Sequence, residues 1–340
     1  MSTPNPVSNP VPEWHDVDAR VFRERIFPAN RPAVMRGLVA AWPVVSEGRK
    51  SPQATADYLL GLEQGGPLPL ITAPPAIKGR LFYREDLRSA NFERRPAPLA
   101  TGLQTLLAHL TDPEPPAVFM ESAPLPECLP TFTRFQALQL LDASIVPRIW
   151  IGNRVTVQTH YDFYSNIACV VAGRRRFTLF PPEQLPNLYP GPMDVTLAGV
   201  PVSMVRLEDP DFARYPRFRL ALEQAQVVEL EPGDALFIPY AWWHRVESLA
   251  AFNILVNYWW NDNKFPLSPL DSLLHAIFAL RELPLEQRTV WRNLFDYYVF
   301  HTSGDPLGHL APEFRGLMGA RGEQALQTVR ALILRSLGGS

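Results

Sequence analysis

His160-Tyr161-Asp162 and His244 are the residues whose types and spacing could do chemistry. On an extended backbone, side chains two apart point the same way, so His160 and Asp162 share a face while Tyr161 takes the other. His244 follows 84 positions later in Pro239-Tyr240-Ala241-Trp242-Trp243-His244, which reads as a strand arriving from the Glu231-Pro232-Gly233-Asp234 turn. Two imidazoles and one carboxylate form the ligand set that holds non-haem Fe(II) on one face, with positions open for oxygen chemistry. A His-x-Asp tripeptide alone is weak, and its plain reading is a loop aspartate bonded to a nearby histidine.

The next stretch tips the balance. After a turn at Gly173, strand alternation puts Arg175, Phe177 and Leu179 on one face, and Arg176, Thr178 and Phe180 on the other. Arg175 therefore points with apolar residues. A buried guanidinium needs an anionic partner, and its planar fork suits a carboxylate bidentately. The competing reading is a solvated basic turn, Arg174 to Arg176, paired with a surface acid.

These residues need a scaffold of short strands. Strands are expected at 149–159, 166–171, 175–180, 202–206, 227–230, 235–238, 245–248 and 252–259, with turn signals between them, which suggests a barrel or sandwich. The half before residue 148 alternates short helices and strands, has no cluster of His, Cys, Asp or Glu at ligand spacing, and reads as a partial wall. Within it, Ser51-Pro52 marks a helix start and Gly61 its stop. Beyond residue 263 the texture turns helical, with a start at Ser268-Pro269, another at Pro284, and apolar residues at helical spacing over 323–337. The expected layout is a flexible tail at 1–13, a flanking α/β region at 14–147, the core at 148–262 and a helical region at 263–340.

Composition narrows the function classes. A chain of 340 residues can bury a sizeable core. A net charge of -2 argues against a general nucleic-acid or membrane-surface binder. The 36 prolines are spread rather than blocked, which fits many short strands and turns rather than disorder. Cys128 and Cys169 are too few and too far apart for a disulfide framework or a metal knuckle. No apolar stretch reaches the length of a membrane span, and residues 1–13 do not read as a signal peptide, so cytoplasmic residence is expected.

Blocks in one order carry a resemblance: His160-Tyr161-Asp162, Asn166, Gly173 to Gln184, Leu188-Tyr189-Pro190, Pro232-Gly233-Asp234, Tyr240 to His244, Glu247-Ser248 and Val256 to Trp259. The sequence resembles the Jumonji-C and cupin-like Fe(II)- and 2-oxoglutarate-dependent oxygenases, among them the asparaginyl hydroxylase of hypoxia-inducible factor. The resemblance is dense from Ile149 to Trp260 and thinner before. It implies a mainly β protein, a double-stranded β-helix or cupin jelly roll, with flanking N-terminal α/β elements and C-terminal helices. It implies that His160, Asp162 and His244 bind Fe(II), and that 2-oxoglutarate is a co-substrate. It puts Arg175 where the family's lysine grips the distal carboxylate, and Asn166 and Asn257 where two asparagines line the co-substrate pocket.

Departures accompany it. Val157 replaces a threonine, leaving Thr159 or Thr156 to serve, and Phe119 replaces a tyrosine. The segment Ala198-Gly199-Val200 lacks the Arg-Gln pair that grips the hypoxia-factor substrate. Tyr164 stands near the substrate where that hydroxylase has a glutamine, and Trp259, in phase with Asn257, is placed at the pocket floor. The expected activity is hydroxylation of a protein or peptide side chain, with a small molecule or a modified RNA base as alternative substrates. The alternative function is a metal-binding cupin module without 2-oxoglutarate turnover. A homodimer through the C-terminal helices is expected, packing of those helices on their own barrel being the plain alternative.

Overall fold

A computed structural model describes residues 9–135, 137–197, 199–262, 268–320 and 322–338. Its strands are β1 (Glu13–Trp14), β2 (Ala33–Met35), β3 (Leu68–Ala73), β4 (Arg80–Leu81), β5 (Glu93–Ala97), β6 (Ala117–Pro124), β7 (Pro147–Gly152), β8 (Thr156–His160), β9 (Ser165–Ala172), β10 (Arg175–Phe180), β11 (Gln226–Leu230), β12 (Ala235–Ile238), β13 (Trp243–Ser248) and β14 (Asn253–Trp260). One sheet runs β1-β2-β12-β9-β14-β7-β6-β3-β5 and the other β11-β10-β13-β8-β4. From β7 to β14 the chain crosses repeatedly between the sheets, placing four strands in each, and every pairing among these eight is antiparallel. This is a double-stranded β-helix in a mainly β protein.

Strand β9 shows why the sequence folds this way. All eight of its residues are buried. Ala168 and Val170 face the barrel interior with Phe177, Leu179, Leu236 and Leu255. Ile167, Cys169 and Val171 face outward beneath the N-terminal elements, against a core containing Phe22, Ile26, Val44, Leu59 and Leu103. A strand covered on both faces loses its polar alternation and reads as a continuous apolar run. Each large aliphatic side chain so buried contributes about 1.5–3 kcal/mol.

The flanking region is continuous with the barrel, since β3, β5 and β6 extend the β7 edge of its sheet. The chain divides instead at Asn261–Asp262. At the other edge, Asp234 accepts hydrogen bonds from the Gly37 amide (3.0 Å) and the Arg36 guanidinium (2.7 Å), and Arg36 also binds Glu13. The Pro-Gly-Asp turn thus fastens β1 and β2 to β12. In the second unit, helices span Pro269–Leu280, Leu285–Tyr298 and Glu323–Gly338, the first capped by the Ser268 hydroxyl.

Several expectations need correction. The strand expected over 149–159 is two strands, broken where Asn153 turns its side chain onto the Val118 amide and the Pro116 carbonyl. The segment 202–206 is not a strand but a single bridge, Ser203 opposite Pro190, around which the Ser203 hydroxyl donates to Leu188 and the carbonyls of Ser203 and Val205 accept from Gln158. Of the expected tail, residues 1–8 lie outside the described residues. Val11 is buried at the end of the barrel core and Glu13 pairs with Val34, because the barrel leaves an apolar end for them to cover. Among the described residues no helix is long and apolar enough to cross a membrane.

Candidate metal centre

His160 ends β8 and lies directly opposite His244 on β13, with ring centroids 4.3 Å apart. Relative to β13, β8 carries one extra residue between Val157 and His160, and both of these face the cavity. Such bulges re-aim side chains. Asp162 lies beyond the end of β8, so a loop and not a shared strand face brings it to the histidines. That loop is fixed by the Ala241 amide donating to the Asp162 carbonyl at 3.0 Å.

Each imidazole has its Nδ1 against a backbone carbonyl, 2.8 Å from Gln158 for His160 and 3.0 Å from Trp242 for His244. A carbonyl can only accept, so Nδ1 carries the proton and Nε2 keeps its lone pair. Burial, aided by His160, pushes the pKa of His244 down to about 4 against the pull of Asp162. The ring is therefore neutral at pH 7, the state in which it ligates a metal. Asp162 Oδ2 is buried, makes no hydrogen bond, and lies 3.5 Å from His244 Nε2. Ligand atoms of the three residues all lie within 4.8 Å of one another. An orphaned carboxylate oxygen facing two nitrogen lone pairs fits a divalent cation, and the donor set suits borderline metals.

Two cavities meet at this cluster, sharing Phe119, Trp150, Val157, His160, Asp162 and Trp259 in their walls. The outer one, about 450 Å³, is also lined by Arg94, Glu121, Arg148 and Gln158. The inner one, about 60 Å³, reaches Asn166, Arg175, His244 and Asn257. Arg175 is 2% exposed, and its Nε and Nη2 are buried without a hydrogen-bond partner. Burial alone pushes its pKa down to about 10. Its neighbours Arg174 and Arg176 instead pair with Glu229 at 3.6 and 2.7 Å, so the basic-turn reading describes them and not Arg175.

Asn257 accepts from Trp150 Nε1 at 2.7 Å and donates to Asn166 Oδ1 at 3.2 Å, a chain that fixes both amides. Tyr164 is 44% exposed and stacks on Trp259 at 6.1 Å. Thr159 is buried but does not line either cavity; Val157 and Phe119 occupy the wall, and neither carries a hydrogen-bond donor on its side chain. Gly199 lines the outer cavity, while Ala198 lies outside the described residues. Sequence reasoning missed Trp150, the Arg94–Glu121 ion pair (2.5 Å), and Arg148, which holds the Ser122 carbonyl at 2.7 Å. Glu121 sits where the β6–β7 register shifts, which strand alternation alone does not reveal.

A Cupin-like domain model matches residues 18–264. Lysine-specific demethylase JMJ31 of Arabidopsis thaliana is 30% identical over 269 residues, covering 71% of this chain and 48% of that protein. Human HSPB1-associated protein 1 is 40% identical over 113 residues, 33% of this chain and 22% of that one. The tRNA wybutosine-synthesizing protein 5 of Danio rerio is 28% identical over 319 residues, 82% of this chain and 88% of that one. The chain thus spans about half or less of the first two relatives. With a match over most of its length, a barrel of the same kind and a triad that could hold a metal, the chain belongs to the cupin-like family of Jumonji-C-related proteins.

Proposed function

We propose that this chain is an Fe(II)- and 2-oxoglutarate-dependent oxygenase of the cytoplasm that hydroxylates a protein or peptide side chain. The observation that carries the reading is Arg175, a buried cation with no anion among the described residues, in the same cavity as three converging ligand atoms. An unpaired buried charge costs several kcal/mol and is kept only where a ligand completes it. When bound, Fe(II) and 2-oxoglutarate supply oxygen activation coupled to decarboxylation to succinate.

The chain's own residues supply position and dryness. His160, His244 and Asp162 would hold the metal on one side and leave the cavity side open. Arg175 would pair with the distal carboxylate, and its fork favours a bidentate contact. Phe119, Val157, Phe177, Val246 and Leu255 exclude water from the inner cavity. The Trp150–Asn257–Asn166 chain presents fixed amides to whatever is bound there. A substrate side chain would enter through the outer cavity, past Arg94, Glu121 and Tyr164. Two relatives, a lysine-specific demethylase and a tRNA wybutosine-synthesizing protein, support an enzyme.

A second substrate reading, a modified RNA base, is favoured by the Danio rerio relative, which matches over nearly its whole length. The chain's net charge of -2 weighs toward the peptide. In this reading the protein works as a homodimer through its C-terminal helices, which light scattering at twice 38.3 kDa tests.

The deciding experiment is anaerobic titration of the Fe(II)-loaded protein with 2-oxoglutarate, watching the visible charge-transfer band of a chelated 2-oxo acid. A band that disappears in His244→Ala supports the oxygenase. Metal binding with no band sinks it, and leaves a metal-binding module whose Val157 and Phe119 have abolished co-substrate use.

A further inference from the structure

Apart from Asp162 Oδ2, the polar atoms left without partners in the inner cavity wall are all donors: Arg175 Nε and Nη2, and Trp259 Nε1. The two donor groups lie at opposite ends. Trp259 pairs with Asn166 at the start of β9, beside the loop carrying Asp162, and it lines both cavities. Arg175 lies past the far end of β9, beyond the Gly173 turn. A site with donors at both ends and its free acceptor turned toward a metal is complementary to a dianion, one carboxylate at each end.

The indole of Trp259 is not free to choose another partner. Trp150 meets it edge-on at 5.7 Å and 84°, and Tyr164 stacks on it at 6.1 Å and 29°. Held from two sides, its N–H direction is set before a ligand arrives. Asn257, two residues earlier on the same face, accepts from Trp150 through its Oδ1 and makes no bond to Trp259 Nε1. A buried indole N–H ordinarily finds an acceptor, and none is supplied here among the described residues.

We infer that Trp259 is a positioning residue for the co-substrate: its Nε1–H donates to the metal-proximal carboxylate of the 2-oxo acid, while Arg175 takes the distal one. The inference rests on the 2-oxoglutarate reading above. It gives Trp259 a polar role beyond flooring the pocket, and it separates the recognition of the two carboxylates between two strands, β14 and β10.

Two variants and two probes test it. Trp259→Phe keeps an aromatic ring between Tyr164 and Trp150 but removes the donor; Arg175→Met removes the distal cation. Each Fe(II)-loaded protein is titrated anaerobically with 2-oxoglutarate and with 2-oxovalerate, which lacks the distal carboxylate. A hydrogen bond to a charged acceptor corresponds to roughly a tenfold to hundredfold change in Kd. The expected result is that Trp259→Phe weakens both acids by that factor and shifts the band, while Arg175→Met weakens 2-oxoglutarate alone. Unchanged Kd and band for Trp259→Phe, with a normal wild-type titration, overturns the inference; so does weakening confined to 2-oxoglutarate. If the wild type shows no band with either acid, the co-substrate reading itself fails. A circular dichroism melt of Trp259→Phe within a few degrees of wild type excludes loss of fold as the cause.

Discussion

Replacing Arg175 with Met should make the metal-free protein more stable and the site useless. The guanidinium is 2% exposed and without an anion among the described residues, and burial holds its pKa at about 10, well below the ordinary arginine value. That gap corresponds to about 3 kcal/mol by which the charged form is disfavoured in the folded state. At pH 7, below both values, the group is charged folded and unfolded, so the whole cost is present. Met fills a similar volume without charge, and its flexible thioether can pack against Phe177 and Leu255 in the same cluster of walls. The unit containing the barrel has about 250 residues, for which about 3 kcal/mol moves the melting temperature by about 6 °C. Scanning calorimetry of apo wild type and Arg175→Met should show the barrel transition rising by that amount.

Ligand should reverse the order. With 2-oxoglutarate and a redox-inert divalent metal, the wild type gains stability by mass action and the variant gains only what the metal supplies. Truncating one partner of a desolvated charge pair costs about 2–5 kcal/mol of binding. The reasoning is refuted if apo Arg175→Met melts below wild type and still binds 2-oxoglutarate equally well, because Arg175 would then be held by the protein and not by a ligand.

Other expectations follow from the same geometry. His160→Ala, Asp162→Ala and His244→Ala should each lose bound metal, measured by elemental analysis after dialysis, whereas Arg175→Met should keep it. For the apoprotein, His244 has a folded pKa of about 4, below an ordinary 6.5, so the unfolded chain binds the extra proton between those values. Stability therefore falls as pH drops through that window, by about 3 kcal/mol in total from this group, and His244→Phe should flatten that part of the urea-midpoint profile. Gly173→Ala should destabilise by about 2–4 kcal/mol, since Ala there is both in a left-handed backbone and in collision. The residue has φ +73°, and an added Cβ would lie 2.3 Å from Asn253 Oδ1 and 2.5 Å from the Phe252 carbonyl. Chemical denaturation with an unchanged m-value checks it.

Much of this site could be read from the sequence because strand alternation is a local rule. Arg175 faces inward for the same reason as Phe177 and Leu179, and Asn257 and Trp259 share a face of β14. What stayed hidden came from breaks in that rule. The extra residue between Val157 and His160 turns both toward the cavity, so counting by twos from His160 puts Gln158 and not Val157 on the histidine's face. The loop position of Asp162 depends on an amide 79 residues away, at Ala241, which no pattern around Asp162 announces. The segment 202–206 has the apolar residues of a strand, yet Ser203 and Gln158 bond it as a cover over the barrel. The helices beyond residue 268 follow from caps and periodicity, which are again local.

Two of the unsatisfied side chains, Arg175 and Ser248, face each other across one strand pair. Strand β10 sits between β11 and β13, and its inward row Arg175, Phe177 and Leu179 stands opposite Ser248, Val246 and His244. The middle pair is apolar and closes the barrel. The outer pairs put a guanidinium and a hydroxyl at one end and a metal-competent imidazole near the other, with Arg175 Nε and Nη2, Ser248 Oγ and Asp162 Oδ2 all buried and unpartnered. A barrel optimised only for stability would carry Leu or Met at 175 and Ala at 248, gaining packing and losing no bond. Holding polar groups at both ends of an apolar row makes sense only if something spans the row between them. The spacing suits a short chain bearing acceptors at its two ends, which is why destabilisation at Arg175 and ligand binding at the triad are expected to move in opposite directions under one substitution.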